Sequence, residues 1–345
     1  MGRDCVYIIG AGFSAGLGYP LTSDLLQRLW PRLKNKDFRE RLRKVIEFHH
    51  HGFDSKSFSS FPNVEQLLSQ MEVNYQFFDA SRTYTGKFTK EELQTIQQQF
   101  LLEVADWFHA LAGTERMKRA EKQWLGKFRD RVVEDRAAVI SFNWDLVLDK
   151  LLFGDRLDAA SYGFPEVRSD TPVLLKPHGS LNWFEDKPGK FIKERMRFAV
   201  HSEGASSVYA FRDLTRAPDT THGRTYRPLI IPPVYLKKFD DPIFTQLWRR
   251  ATSELSTAKK VVFLGYSMPD ADLHAQFIVR CGFHNQVRGE VPENGTRHPG
   301  PGPADVLIIN PDRGAAQRIA SVISSKSKCE WISTPAADWI MDGQP

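Results

Sequence analysis

Two short segments carry side chains suited to acid–base and polar-acceptor chemistry: SFNWD at Ser141–Asp145 and KPHGS at Lys176–Ser180. Asn143 can offer its amide oxygen to a hydroxyl or a water without adding a charge that needs pairing. His178, with an unperturbed pKa of ~6.5, can accept a proton from either near neutral pH. Asp145 can hold hydroxyl groups, and it can equally cap the helical run LVLDKLL that follows. A histidine between Pro177 and Gly179 also fits a turn residue bonded to backbone. A third segment, GAGFSAGLGYP, places Gly10, Gly12, Gly16 and Gly18 after an apolar run. Such glycines let the backbone approach a phosphate while a helix N-terminus supplies N–H donors and partial positive charge. The third glycine comes one residue late for the G-x-G-x-x-G pattern, so the turn alone fits a tight bend packed under a helix as well as a phosphate cradle.

These residues need a frame, and the apolar runs supply one. Cys5–Ile9 opens the chain as a short strand-like run, and strand character returns at AAVISFNWD, PVLLKPHGS, KKVVFLGYS and DVLIINPD. Each run ends in polar or small residues. With helical stretches between them, they predict an α/β fold with a doubly wound, Rossmann-like, mostly parallel sheet. Ligands in such sheets collect at the carboxyl ends of the strands, so the polar endings are candidates for one shared site. From about residue 31 to 131 the pattern is helical instead. Asn63 is a fitting N-cap for VEQLLSQMEV, and Leu93, Ile96, Phe100, Val104, Trp107 and Leu111 recur at helical period. This stretch reads as a large all-helical insertion. Residues from about 184 to 227 lack clear periodicity and read as an irregular insertion or lid. The whole chain, 1–345, then forms a single domain whose sheet parts are about 1–30, 132–183 and 228–345.

Composition narrows the function classes. Of 345 residues, 41% are apolar and 26% charged, which excludes neither a full core nor ordinary solubility but argues against disorder and a membrane class. No apolar run approaches the ~20 residues of a membrane-spanning helix, so the expected compartment is the cytoplasm, with no membrane partner. Cys5, Cys281 and Cys329 are isolated and cannot build a four-thiolate zinc site. The net charge of +5 is modest. Much of it lies in RLKNKDFRERLRK, where Phe38, Leu42, Val45 and Ile46 fall at helical spacing, so a solvated amphipathic helix is expected there rather than a nucleic-acid contact. His49, His50 and His51 are adjacent and cannot all face one ion from a helix, which makes them a solvated helix end. Asp270 and Asp272 follow Pro269 at a helix start, where capping competes with ligand contact.

Read whole, GAGFSAGLGYP resembles the glycine loop of sirtuins, with Gly10, Gly12, Ser14, Gly18 and Pro20 in register. SFNWD is similar to the sirtuin Gln-Asn-apolar-Asp segment, with Phe142 in place of glutamine, and KPHGS resembles the His-Gly that carries the sirtuin base. GYS at Gly265–Ser267 is similar to the sirtuin Gly-Thr-Ser, and Asn310 occupies the place of an adenosine-ribose contact. The five motifs occur in the family's chain order between residues 5 and 312. Two departures matter. The four-cysteine zinc module of protein-deacylating sirtuins is missing, and Pro20 is followed by Leu21, Thr22 and Ser23 instead of Asp-Phe-Arg. With NVEQLLSQ and GYSMPDAD, the pattern resembles the bacterial sirtuin-like NADases of antiphage defence.

That resemblance implies an NAD⁺ glycohydrolase giving nicotinamide and ADP-ribose, with Asn143 and His178 catalytic. It assigns Gly10, Ala11, Gly12, Ser14, Gly18, Pro20, Thr22, Asp145, Gly265, Ser267 and Asn310 to NAD⁺ binding. NAD⁺ is then the substrate, with no further cofactor and no zinc or other metal. The resemblance also implies a gated effector that depletes NAD⁺. Its partners would be further copies of itself and a HerA-type ATPase, ahead of a short Argonaute. Two other readings compete: a noncatalytic subunit sensing NAD⁺ or ADP-ribose, and a protein deacylase or ADP-ribosyltransferase, which the missing zinc module argues against.

Overall fold

Six short runs lie side by side in one sheet, all pointing the same way, in a computed structural model of the chain. The structure describes residues 3–77, 88–165, 171–185, 197–203, 206–214, 227–231, 242–289 and 299–343. In chain order its strands are β1 (Cys5–Ile9), β2 (Ala138–Ser141), β3 (Val173–Leu175), β4 (Trp183–Glu185), β5 (Arg197–Glu203), β6 (Ser206–Phe211), β7 (Lys260–Leu264), β8 (Asp305–Ile309) and β9 (Cys329–Ile332). The large sheet runs β3-β2-β1-β7-β8-β9. Because helices cover both faces, its central strands are buried on both sides, and that is why they read as continuous Val/Ile/Leu runs.

The helices are α1 (Ala11–Ala15), α2 (Leu25–Leu29), α3 (Lys36–His49), α4 (Val64–Phe77), α5 (Lys90–Ala112), α6 (Glu115–Ala120), α7 (Gly126–Glu134), α8 (Val147–Leu152), α9 (Pro242–Thr257), α10 (Leu273–Arg288), α11 (Arg313–Ala320) and α12 (Ala336–Met341). Among the described residues between β1 and β2 every regular element is a helix, as expected. Phe38, Leu42, Val45 and Ile46 of α3 are buried, while Arg43 on its outer face pairs with Glu40 and Glu47. Asn63 accepts from the Glu65 amide at 2.7 Å at the start of α4, and Thr89 with Glu92 forms a full capping box on α5.

Three differences from the sequence expectations have physical causes. β9 was not expected: it is an edge strand whose CEWI residues are mostly exposed, so it lacks the apolar run that marks its neighbours. The segment 184–227 is not simply irregular, because β4, β6 and β5 form a small antiparallel sheet. A register shift between Ala199 and His201 leaves Arg197 and Val200 buried three residues apart, which hides the strand from a period-two reading. The lid expectation also spans 186–196 and 215–226, outside the described residues. The histidine run is not fully solvated either: His51 is exposed, but His49 is half-buried with its ring edge-on to Phe48 at 5.0 Å.

No described helix is long and apolar enough to cross a membrane. Cys5, Cys281 and Cys329 are all free.

Candidate active site

Strand order reverses direction at β1. The chain leaves β1 for β2 and β3 on one side, and continues through β7, β8 and β9 on the other. The crevice at the carboxyl ends of strands beside such a switch point is where α/β sheets bind ligands. A cleft opens there, lined by apolar and aromatic side chains with a few polar groups among them. Its walls come from the loops after β1, β2, β3 and β7, and from two helices of the insertion.

The loop after β1 is fastened to the loop after β7. Gly10 N–H donates to the Leu264 carbonyl at 3.2 Å and Gly12 N–H to the Gly265 carbonyl at 2.8 Å. A Cβ on Gly12 would lie 2.7 Å from that carbonyl oxygen, and Gly265 itself holds φ +59°, so glycine is required on both sides of this contact. α1 is only five residues long, and the amides of Gly12 and Phe13 are already spent on the carbonyls of Gly265 and Gly10. The phosphate-cradle expectation for this turn therefore rests on fewer donors than the glycine spacing implied.

The loop after β2 brings Asn143 against this turn. Its side-chain nitrogen donates to the Gly10 carbonyl at 3.0 Å and to Ser14 Oγ at 3.2 Å. Ser14 in turn donates to Asp145 Oδ2 at 2.8 Å, while Asp145 Oδ1 accepts from the Val147 amide at 3.1 Å. Asp145 thus lines the cleft and also holds the start of α8. Burial pushes its carboxyl up from the ordinary value, against the opposing pull of Lys176 and of the Ser14 and Val147 hydrogen bonds.

The loop after β3 carries His178, which is 8% exposed and lies beside Phe142 and Trp248, with ring centroids at 5.0 and 5.9 Å. Phe142 stacks on Tyr266 at 4.7 Å. His178 Nε2 lies 3.4 Å from Asp272 Oδ2. The same Asp272 caps α10 by accepting from the Ala275 amide at 3.3 Å, so capping and a place at the site coexist. Tyr266 donates to Asp272 at 3.2 Å. Burial, and then the Asp272 carboxylate, raise the Tyr266 phenol well above its usual value, so it remains a donor.

Of the residues assigned from sequence, Gly10, Ala11, Ser14, Pro20, Thr22, Asn143, Asp145, His178 and Ser267 line the cleft together. Gly12, Gly18, Gly265 and Asn310 are not among its lining residues. Gly12 and Gly265 are spent on each other. Gly18, at φ +99°, gives the turn its shape and its carbonyl accepts from Arg28 at 2.7 Å. Asn310 is buried between loops, donating to the Tyr266 carbonyl at 3.0 Å and accepting from the Asp312 amide at 2.9 Å.

The sequence reading did not place several further lining residues: Glu65 at the start of α4, Phe108 on α5, and Tyr19, Phe142, Trp144 and Tyr266 on the loops. Tyr19 packs edge-on against Phe108 at 5.1 Å and donates to its carbonyl at 3.3 Å, tying the glycine loop to the insertion. NVEQLLSQ and GYSMPDAD were the signals that contained Glu65 and Tyr266.

No protein family and no curated protein matches the chain. Among solved structures it is similar to Sir2 enzymes. One such structure, bearing on Sir2 mechanism and regulation, overlaps at a TM-score of 0.41 and 14% identity over 99% of this chain and 91% of that one. A Sir2 homologue mutant in complex with ADP-ribose overlaps at 0.40 and 13%, over 99% and 90%. A sirtuin studied for substrate affinity gives 0.40 and 13%, over 100% and 95%. With overlaps this loose, the α/β doubly wound assignment stands on the strand order itself. Among the described residues, no group of three or more His, Cys, Asp or Glu is placed to hold a metal ion.

Proposed function

We propose that the chain is an NAD⁺ glycohydrolase, with nicotinamide and ADP-ribose as products. One observation carries the reading: Asn143 and His178, from loops after two different strands, face one aromatic-walled cleft at the switch point. Asn143 spends its amide nitrogen on Gly10 and Ser14, so its oxygen is the atom left for a ligand hydroxyl or water.

The chemistry asks for little more. The bond between the ribose C1′ and the pyridinium nitrogen breaks, both electrons leave with nicotinamide, and positive charge moves onto the ribose as an oxocarbenium ion. Water adds to C1′, and its proton passes to His178 and then to solvent. Phe108, Phe142, Trp144 and Tyr266 keep the cleft apolar, which strengthens the action of the few polar groups in it. Asp272 faces the imidazolium formed during the step. Neither bond change requires a Lewis acid, so the proposed reaction uses no metal and no cofactor beyond the substrate.

The proposal extends to control. Glu65 and Phe108 reach the cleft from the helical insertion, so a shift of α4 or α5 alters the site directly. A self-assembling effector of antiphage defence in the cytoplasm, held at low basal activity and switched on by a partner such as a HerA-type ATPase, fits that arrangement. Incubating purified protein with NAD⁺ and separating the products by chromatography tests the activity. Nicotinamide and ADP-ribose in equal amounts are expected; turnover of NAD⁺ only when an acylated peptide is added would replace the reading with a deacylase.

A further inference from the structure

Lys176 is 1% exposed, an unusual place for an ammonium group. Its Nζ donates to the Asp145 carbonyl at 2.7 Å, to Asp149 Oδ2 at 2.9 Å and to Ser180 Oγ at 2.7 Å. An ammonium group has three donors, and all three are used, so Lys176 has none to give a ligand. Asp149 is fully buried on α8 and also accepts from the Tyr162 hydroxyl, which in turn accepts from Asn182 Nδ2 at 3.0 Å.

A buried ion pair is a poor way to stabilise a fold. Desolvating both charges offsets most of their attraction, and neutral replacements of similar shape are often no less stable. What this pair does supply is geometry. Lys176 stands two residues before His178, and its acceptors lie on the Asn143–Asp145 loop, on the helix that loop leads into, and on the far side of His178. Leu181 N–H donates to the Trp144 carbonyl at 3.1 Å and ties the same two loops again beyond His178. The histidine is therefore held between two fastenings to the segment that carries Asn143.

We infer that Lys176, with Asp149 as its counter-ion, is a positioning residue that sets the spacing between Asn143 and His178. The inference rests on the proposed glycohydrolase reading, but its structural part is testable without it.

The decisive comparison is between Lys176→Met and the double variant Lys176→Met with Asp149→Asn. The single change strands a buried carboxylate and should lower Tm sharply. The double change removes both charges, keeps the shape of residue 149 and its bond to Tyr162, and should bring Tm back to within a few degrees of the unmodified protein. If the pair positions the site, kcat for nicotinamide release stays at least tenfold down in the double variant while KM moves less than threefold. Recovery of kcat together with Tm overturns the inference, because a purely structural role predicts that the two return together. Should the double variant not fold, Ser180→Ala removes one of the three acceptors; an unchanged Tm with a several-fold lower kcat supports the role, and an unchanged kcat refutes it. If the unmodified protein releases no nicotinamide, the glycohydrolase reading is what fails. Hydrogen exchange then decides the positioning claim: faster exchange in both 141–147 and 176–182 of the double or Ser180→Ala variant supports it, and unchanged exchange in both refutes it.

Discussion

His178 Nε2 lies 3.4 Å from Asp272 Oδ2, and the Tyr266 hydroxyl donates to that same oxygen at 3.2 Å. The carboxylate is thus shared between the imidazole and the first turn of α10, which it caps through its other oxygen. Asparagine caps helices about as well as aspartate, so Asp272→Asn separates the two roles. Thermal stability should change little, while nicotinamide release should fall about tenfold or more, on the order of 1.4 kcal/mol in the barrier. Equal loss of stability and activity would mean that Asp272 serves only as a cap.

Gly12→Val should damage the fold before it affects any ligand. The new Cβ would meet the Gly265 backbone at 2.7–2.8 Å, in a contact where neither loop can withdraw without breaking the Gly12–Gly265 hydrogen bond. Overpacking of this kind costs roughly 1–3 kcal/mol. Gly16→Ala is the internal comparison, since its Cβ would meet only Ala337 and Trp124 side chains and a carbonyl at 3.7–3.9 Å. Calorimetry should show a Tm drop of several degrees for the first and little change for the second; the reverse order would discredit the packing account of the glycine turn.

How far the sequence carried the reading depended on whether a signal was local. β1, β2, β3, β7 and β8 were legible because strands buried on both faces must be apolar throughout. β9 was not, since an edge strand with exposed residues carries no such mark. Asn143 and His178 were legible from residue chemistry and motif resemblance. Their neighbours Glu65 and Phe108 come from helices of the insertion, and only the fold brings them to the cleft. The glycines illustrate the limit best. Their spacing leaves a phosphate cradle and a tight packed bend both open, and Gly12 is needed because β1 and β7 are neighbours, a fact of topology that no single loop records.

His49 gives a pH dependence with a definite sign. Burial, with a smaller contribution from neighbouring His50, pushes its imidazole from the ordinary 6.5 down to about 4. Between those values the unfolded chain binds a proton that the folded chain does not, so stability is complete above pH 6.5 and declines as pH falls toward 4. Thermal melts of the unmodified protein and His49→Gln across pH 4–7.5 should show a shallower decline for the variant. Parallel curves would remove His49 from the account.

Asp145 has the opposite sign. Burial raises its folded-state pKa above the ordinary 3.8, so the folded chain holds the proton more tightly. Its contribution to stability is therefore best at acid pH and is lost as pH rises through the folded value. Asp145→Asn keeps the shape without the buried charge. The Tm difference, variant minus unmodified, should be more favourable at pH 7 than at pH 4; a difference independent of pH would show that the buried carboxylate is not under strain.

The central claim is that Asn143 and His178 together break the nicotinamide–ribose bond, and product analysis of Asn143→Ala and His178→Ala tests it most directly. Asn143 contributes two hydrogen bonds at the cleft wall, worth about 1 kcal/mol each, so both variants should remain folded by circular dichroism. Under conditions where the unmodified protein converts NAD⁺ to nicotinamide and ADP-ribose, each variant should release nicotinamide at least a hundredfold more slowly. A folded variant of either kind that keeps near-normal turnover would contradict the assignment.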